Sequence, residues 1–398
     1  MKYLVIIGDG MGDRPRPELG GQTVLQAAAT PHMDRLASEG RLGLTQTIPE
    51  GKEPGSDTAN MSLMGFDPAL YHTGRSPIEA AAMGVELAPD EVAFRCNLVT
   101  LDHSGPAVVM ADYSAGHITT EPAGQIIAAL QERLGTAELR FHPGVSYRHL
   151  LVWKNGPLGA ETVPPHDRTT QPVDDILGRQ GDMALVNDLV RASWPVLAEL
   201  EYNRKQRRQG RPEANSIWLW GQGTRPRLPT YGERFGLSGV VVAAVDLIKG
   251  LGVLAGLETV EVPGATGDLH TNHAGKVAAV LEGLRRHDLA IIHVEAPDEA
   301  GHSGILADKL KAIEDFDAKV VGPLMAGLAE MGPHRVLLAT DHYTPLEERT
   351  HTREPVPFVL WDSQDRTGQG LSYDEPTAEA QGVWLPQAHH LVEQLIHR

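Results

Sequence analysis

The sequence predicts an α/β fold, a parallel-sheet domain into which a smaller α/β (α+β) domain is inserted. Three observations predict it. Short apolar runs rich in β-branched residues end abruptly in polar turns, at residues 3–7, 289–294 and 335–340. Helical patterns alternate with these runs, as in parallel βαβ units. The stretch from about Glu91 to about Thr266 carries strands, helices and proline-rich turns of its own. The expected organisation is therefore 1–90 with 267–398 as one domain and 91–266 as the insertion.

Residues 3–7 read as a strand buried on both faces, closed by the turn Gly8-Asp9-Gly10-Met11-Gly12. Thr30 and Pro31 open a helix as N-cap and first helical residue. Met33, Leu36 and Ala37 give it an apolar face, and Gly40 ends it. Ser56 stands where the N-cap of a further helix is expected, ahead of the apolar residues 61–64. In the middle region, 93–101 and 147–153 read as strands. The basic run 203–211 reads as a solvated helix face. Further on come the strand 289–294, a helix within 307–327, and strands at 335–340 and 357–360.

The 398 residues carry 52 acidic and 35 basic side chains, a formal net charge of -17. That charge argues against nucleic acid or an anionic membrane as the main partner, since both reward positive charge. A small anionic substrate remains compatible, because a bound metal or a local Arg/His cluster inverts the field inside one cleft. Cys96 is the only cysteine, so an intrachain disulfide and a multi-cysteine metal site are excluded, and a reducing cytoplasm fits. No apolar stretch approaches the ~20 residues that span a bilayer, and the N-terminal run is too short for a signal-peptide core.

Ligands of open α/β sheets sit beyond the carboxyl ends of the strands. Asp9, Asp298 and the pair Asp341-His342 all follow predicted strand ends. Asp298 and His302 are four apart, so a helix starting there presents both on one face. His351 precedes the strand at 357–360. Each pair alone is an ordinary polar turn or helix cap. Together Asp9, Asp298, His302, Asp341, His342 and His351 make three carboxylates and three imidazoles. That set suits two adjacent divalent ions with positions open for phosphate oxygens. Mixed oxygen and nitrogen donors favour Mn²⁺ or Zn²⁺ over Ca²⁺. Ser56, at a helix start where free backbone N–H groups stabilise a phosphate, is then a candidate nucleophile.

These segments resemble the archaeal-type, 2,3-bisphosphoglycerate-independent phosphoglycerate mutases of the alkaline phosphatase superfamily. The resemblance is carried by Ile7-Gly8-Asp9-Gly10-Met11-Gly12, Pro54-Gly55-Ser56-Asp57-Thr58-Ala59-Asn60, Tyr71-His72-Thr73-Gly74-Arg75, Glu295-Ala296-Pro297-Asp298-Glu299-Ala300-Gly301-His302, Asp341-His342 and His351-Thr352, in family order. It implies an alkaline-phosphatase-like domain with two ions, most readily Mn²⁺, with Mg²⁺, Zn²⁺ or Co²⁺ as substitutes, and no 2,3-bisphosphoglycerate. Asp9, Ser56, Asp341 and His342 would surround one ion, and Asp298, His302 and His351 the other. Ser56 would become phosphoserine. The inserted domain would grip a small phosphorylated substrate, with His117 and Arg148 as binding candidates and Asp167 and Lys249 as catalytic ones; Arg75, ahead of the insertion, is a further binding candidate. Tyr343 is bulkier than expected after the Asp-His pair.

Two other readings keep the same site. A related phosphotransferase would pass the phosphate to another small alcohol, as a homoserine-type kinase does. A metal-dependent phosphatase would pass it to water. A sulfatase motif is not supported, since Phe94-Arg95-Cys96-Asn97 lacks its pattern.

Overall fold

The computed structural model describes residues 1–397 and divides into two compact units. One comprises Met1–His72 and the chain from Arg227 onward; the other is Thr73–Pro226. Thirteen strands form among the described residues: β1 (Lys2–Gly8), β2 (Arg41–Thr45), β3 (Glu91–Asp102), β4 (Val109–Asp112), β5 (Leu139–His142), β6 (Arg148–Lys154), β7 (Ser216–Gly223), β8 (Gly239–Val242), β9 (Glu258–Thr259), β10 (Leu289–Val294), β11 (His334–Thr340), β12 (Val356–Asp362) and β13 (Val383–Leu385).

The first unit is built on one eight-stranded sheet in the order β13-β2-β12-β11-β1-β10-β8-β9. β1 lies between β10 and β11 and runs parallel to both, and β10 runs parallel to β8. These central strands are the apolar runs of the sequence, and their side chains are almost entirely buried. One strand departs from the all-parallel expectation: β12 runs antiparallel to both β11 and β2. A parallel return needs a crossover of helix length. Residues 341–355 form no helix and turn the chain straight back.

The helix Pro31–Glu39 forms as expected and buries Met33, Leu36 and Ala37. Its cap differs. The Thr30 side chain makes no cap bond, and the Asp317 carboxylate accepts from His32 N (3.2 Å) and Met33 N (2.7 Å) instead. Asp317 opens a π-helical turn, Asp317–Val321, that interrupts the expected helix at 307–327 between Leu306–Phe316 and Gly322–Ala329.

The second unit is antiparallel. β3 pairs with β4, β6 and β7, and β5 pairs with β6. The helices Thr120–Leu134 and Asp182–Glu199 bury their apolar faces in the same core as this sheet. The basic run folds as the helix Glu201–Arg208, where Arg207 pairs with Glu213 (2.8 Å) and Arg208 with Glu201.

The unit boundaries fall at 72/73 and 226/227, not at 90/91 and 266/267. Sheet pairing decides the second, because β8 pairs with β10 and thereby draws residues 239–242 into the first unit. Lys249, on the helix Asp246–Leu254, goes with it. The first boundary moves because the helix Ser76–Ala82 packs against β3 and β7. No helix among the described residues is long and apolar enough to cross a membrane.

Candidate active site

The strand register builds the site. Gly8 of β1 pairs with Val294 of β10 on one side and with Thr340 of β11 on the other. The next residue on each strand is Asp9, Glu295 and Asp341, so three carboxylates from distant parts of the chain leave the sheet at one level. β10 runs straight into the helix Ala296–Ser303, whose first turns carry Asp298 and His302. Gly10 makes room for this crossing at φ +60°. A Cβ there would stand 2.6 Å from Asp298 Oδ1, and the left-handed backbone itself favours glycine.

Each of the six expected metal-site side chains, Asp9, Asp298, His302, Asp341, His342 and His351, contacts another member of the set. His342 Nε2 lies 3.3 Å from Asp9 Oδ1 and 3.5 Å from Asp341 Oδ2. Asp298 faces His302 Nε2 at 3.2 Å and His351 Nε2 at 3.5 Å, and the two Nε2 atoms are 3.0 Å apart. His302 donates from Nδ1 to the Arg349 carbonyl (2.9 Å), which turns its Nε2 inward. Thr344 Oγ1 donates to Asp298 Oδ1 (2.5 Å) and lies 3.2 Å from His342 Nδ1.

Ser56 is the first residue of the helix Ser56–Leu63, with Gly55 as N-cap in its place. Its Oγ lies 3.2 Å from His342 Nε2. Asn60, one turn on, donates from Nδ2 to the Ser56 carbonyl (2.9 Å) and to Asp341 Oδ2 (2.7 Å), so the serine helix is tied to the carboxylate cluster. Tyr343 is accommodated by Gly12. A Cβ on Gly12 would meet the Tyr343 ring at 2.3 Å, so the bulky residue rests where a side chain is missing.

Burial and the neighbouring Asp341, Asp298 and Glu295 charges push the Asp9 carboxyl well above its ordinary range. Burial opposes ionisation of Asp298 too, but its contacts with His302 and His351 outweigh that and hold it well below. Burial pulls His302 down, and Asp298 overrides it, lifting the imidazole to about 9. Burial lowers His342, and takes His293 down to about 4. Asp9 is 2% exposed, yet no hydrogen bond reaches its Oδ1. Bare buried carboxylate oxygens at close quarters are costly unless cations meet them. Three triads each have their ligand atoms within 4.8 Å of one another: Asp298/His342/His351, Asp9/His293/Asp341 and Asp9/Glu295/Asp298. A donor set of this kind fits divalent ions.

The remaining candidates lie elsewhere. In the second unit, rings and cations form a continuous strip. Arg148 stacks over Tyr147, Tyr147 contacts His117 and Tyr113, Tyr113 contacts His166, and His166 contacts Trp220. Arg95 stacks over Trp220 at 4.6 Å and shares Glu79 with Arg75. The strip thus gathers Arg75, His117 and Arg148, with Asp167 exposed beside His166 at 3.7 Å. Lys249 belongs to the first unit, bonded to Glu261 (2.6 Å).

Sequence reasoning passed over Asn60, His293, Glu295 and Thr344 as members of the cluster. Asn60 sits four residues after Ser56, a spacing that places both on one helix face. His293 is the single polar residue of β10, a signal readable in an otherwise apolar strand. Glu295 follows the strand 289–294 directly and carried the same strand-end signal as Asp9; Thr344 carried none.

A parallel-centred α/β sheet with buried carboxylates, imidazoles and a helix-start serine at its carboxyl edge defines a metal-dependent phosphoryl-transfer enzyme. The family model for 2,3-bisphosphoglycerate-independent phosphoglycerate mutase matches residues 37–203. A probable 2,3-bisphosphoglycerate-independent phosphoglycerate mutase of Geobacter sulfurreducens is 51% identical over the full length of both chains, and the Methanosarcina acetivorans enzyme of that name is 49% identical over the same extent. A Pyrococcus horikoshii protein of solved structure is 29% identical, with a TM-score of 0.82 over 100% of this chain and 96% of that one. The cofactor-independent phosphoglycerate mutase of Thermoplasma acidophilum is 26% identical, with a TM-score of 0.65 over 100% and 99%. The chain belongs to the family of 2,3-bisphosphoglycerate-independent phosphoglycerate mutases.

Proposed function

We propose that the chain interconverts 3-phosphoglycerate and 2-phosphoglycerate through a phosphoserine at Ser56. The observation that carries this reading is Ser56 Oγ, at a helix start, 3.2 Å from His342 Nε2 beside the buried carboxylates. Asp9, Asp341 and His342 with Ser56 would hold one divalent ion, and Asp298, His302 and His351 the other. Two such ions, Mn²⁺ by the donor chemistry, would when bound supply charge neutralisation for the phosphoryl oxygens and lower the pKa of the serine hydroxyl.

In the first half, Ser56 Oγ forms the bond to phosphorus as the bond from phosphorus to glycerate O3 breaks. The serine proton ends on O3. In the second half, the O2 hydroxyl takes the phosphorus from Ser56, and its proton returns to the serine. The free backbone N–H groups of the helix opened by Ser56 favour the phosphorylated state. Arg75, His117 and Arg148 would grip the glycerate carboxylate, and the cationic strip supports that role. Asp167 or Lys249 would relay these protons between the hydroxyls. A cytoplasmic place of work agrees with the buried, unpaired Cys96.

Intact-mass analysis after brief exposure to 3-phosphoglycerate and Mn²⁺ tests this. The expected result is one added phosphate mapping to Ser56, 2-phosphoglycerate as product, and neither in Ser56→Ala. Free phosphate released as fast as substrate is consumed would overturn it in favour of hydrolysis. A phosphoenzyme without 2-phosphoglycerate would point to another acceptor alcohol.

A further inference from the structure

β10 is fully buried, and apolar except for His293, one residue before its end. The side chain is 1% exposed, and neither ring nitrogen has a hydrogen-bond partner. The nearest buried amine, Lys276 Nζ, reaches only the His293 backbone carbonyl, at 3.5 Å. An imidazole buried without a hydrogen bond costs free energy that Leu or Val at the same position would not. The position is not arbitrary either. β1 and β10 set Ile7 opposite His293, so the ring leaves the sheet next to the strand end that carries Asp9.

His293 Nε2 lies 3.1 Å from Asp9 Oδ2, while His342 Nε2 lies 3.3 Å from Asp9 Oδ1. Two imidazoles therefore flank the two oxygens of one carboxylate. His293 also shares a set with Asp9 and Asp341 in which all ligand atoms fall within 4.8 Å of one another. A second set, Asp298, His342 and His351, and a third, Asp9, Glu295 and Asp298, lie beside it, and His342 Nε2 reaches both Asp9 Oδ1 (3.3 Å) and Asp341 Oδ2 (3.5 Å).

We infer that His293 is a nitrogen ligand of the ion held by Asp9 and Asp341. The inference rests on the two-ion reading and adds to it a ligand supplied by the central strand itself. It accounts for the polar residue in an apolar strand and for its missing hydrogen bonds. It also makes the Asp9/Asp341 ion richer in nitrogen, which favours Mn²⁺ or Zn²⁺ over Mg²⁺ at that position.

The test is equilibrium dialysis of the full chain against Mn²⁺ with elemental analysis, on wild type, His293→Ala and, as a reference for the other ion, His302→Ala. Wild type should bind two ions. His293→Ala should keep one affinity and lose about ten-fold or more at the other, in the range that disturbed metal surroundings produce. Melting temperatures with and without Mn²⁺ separate a ligand from a filler of the core. A ligand's loss shrinks the Mn²⁺-induced rise in Tm. If His293→Ala does not fold, His293→Asn is read in its place. Two ions bound as tightly by the variant as by wild type would overturn the inference and leave the two-ion reading intact, as would an unchanged Mn²⁺-induced rise. Fewer than two ions in wild type would sink the two-ion reading, and this inference with it.

Discussion

Asn60 Nδ2 donates to Asp341 Oδ2 at 2.7 Å and joins the helix that begins at Ser56 to the strand end that carries the carboxylate. The same amide reaches the Ser56 carbonyl at 2.9 Å. Asn60 makes no contact with phosphate in this reading; it fixes where two reacting parts stand. Asn60→Ala should lower kcat/KM by about 10–100-fold, the usual cost of removing a group that orients a metal ligand. Mn²⁺ affinity should fall with it. Steady-state kinetics and a Mn²⁺ titration check both, and a normal titration with normal kinetics would refute the role.

Beneath the site, Lys309 is fully buried and donates to the Gly12 carbonyl (2.9 Å), the Thr344 carbonyl (2.8 Å) and Asp13 Oδ2 (3.0 Å). Removing the cation strands a buried carboxylate. Lys309→Met should cost about 3–5 kcal/mol in urea unfolding. Asp13→Asn combined with Lys309→Met should cost less than Lys309→Met alone, because no charge is then left unpaired.

Glu375 accepts from Asp13 N (3.0 Å) and Thr23 Oγ1 (2.6 Å), and burial pushes its carboxyl up from 4.5 to about 7. The folded state therefore holds this proton more tightly than the unfolded chain. The resulting stability is present in full below about pH 4.5 and is lost as pH rises through 7, at most about 3 kcal/mol by the usual conversion. In Glu375→Gln that dependence should vanish. Melting curves from pH 5 to 8 read it: wild type should lose Tm with rising pH relative to the variant, and parallel curves would count against a raised Glu375.

Gly12 and Tyr343 form a matched pair. Gly12→Ala drives a methyl into the ring, which lies 2.3 Å from the built Cβ, and overpacking of that kind costs about 1–3 kcal/mol. Adding Tyr343→Ala removes the obstacle. The double variant should lose less stability than the two single losses summed, as a double-mutant cycle by chemical denaturation would show.

Chelation offers a further check. Dialysis against EDTA should abolish turnover and lower Tm, and Mn²⁺ should restore both, with the rise in Tm growing with the logarithm of free Mn²⁺. A Tm indifferent to Mn²⁺ would contradict buried ion sites.

Much of this was readable in the sequence. Asp9, Asp298, Asp341 and His342 announced themselves because short apolar runs stop just before them, and strand ends gather in α/β sheets. His302 followed from helical spacing. What escaped depends on pairing that no local pattern encodes. β12 runs antiparallel because residues 341–355 turn back without a helix. Lys249 left the inserted unit because β8 pairs with β10. Ser56 looked like a cap, yet Gly55 takes that position and leaves the hydroxyl to face His342. Thr30 reads as a cap too, but a carboxylate nearly three hundred residues away does the capping.

The common rung of Gly8, Val294 and Thr340 also bears on breathing motions of the chain. An ion gripped by Asp9 and Asp341 would fasten the first strand to one formed more than three hundred residues later. Opening of β1 from the sheet then requires release of that ion. Amide hydrogen exchange along Lys2–Gly8 should accordingly slow when Mn²⁺ is added, while exchange in the antiparallel sheet of the second unit stays as it was.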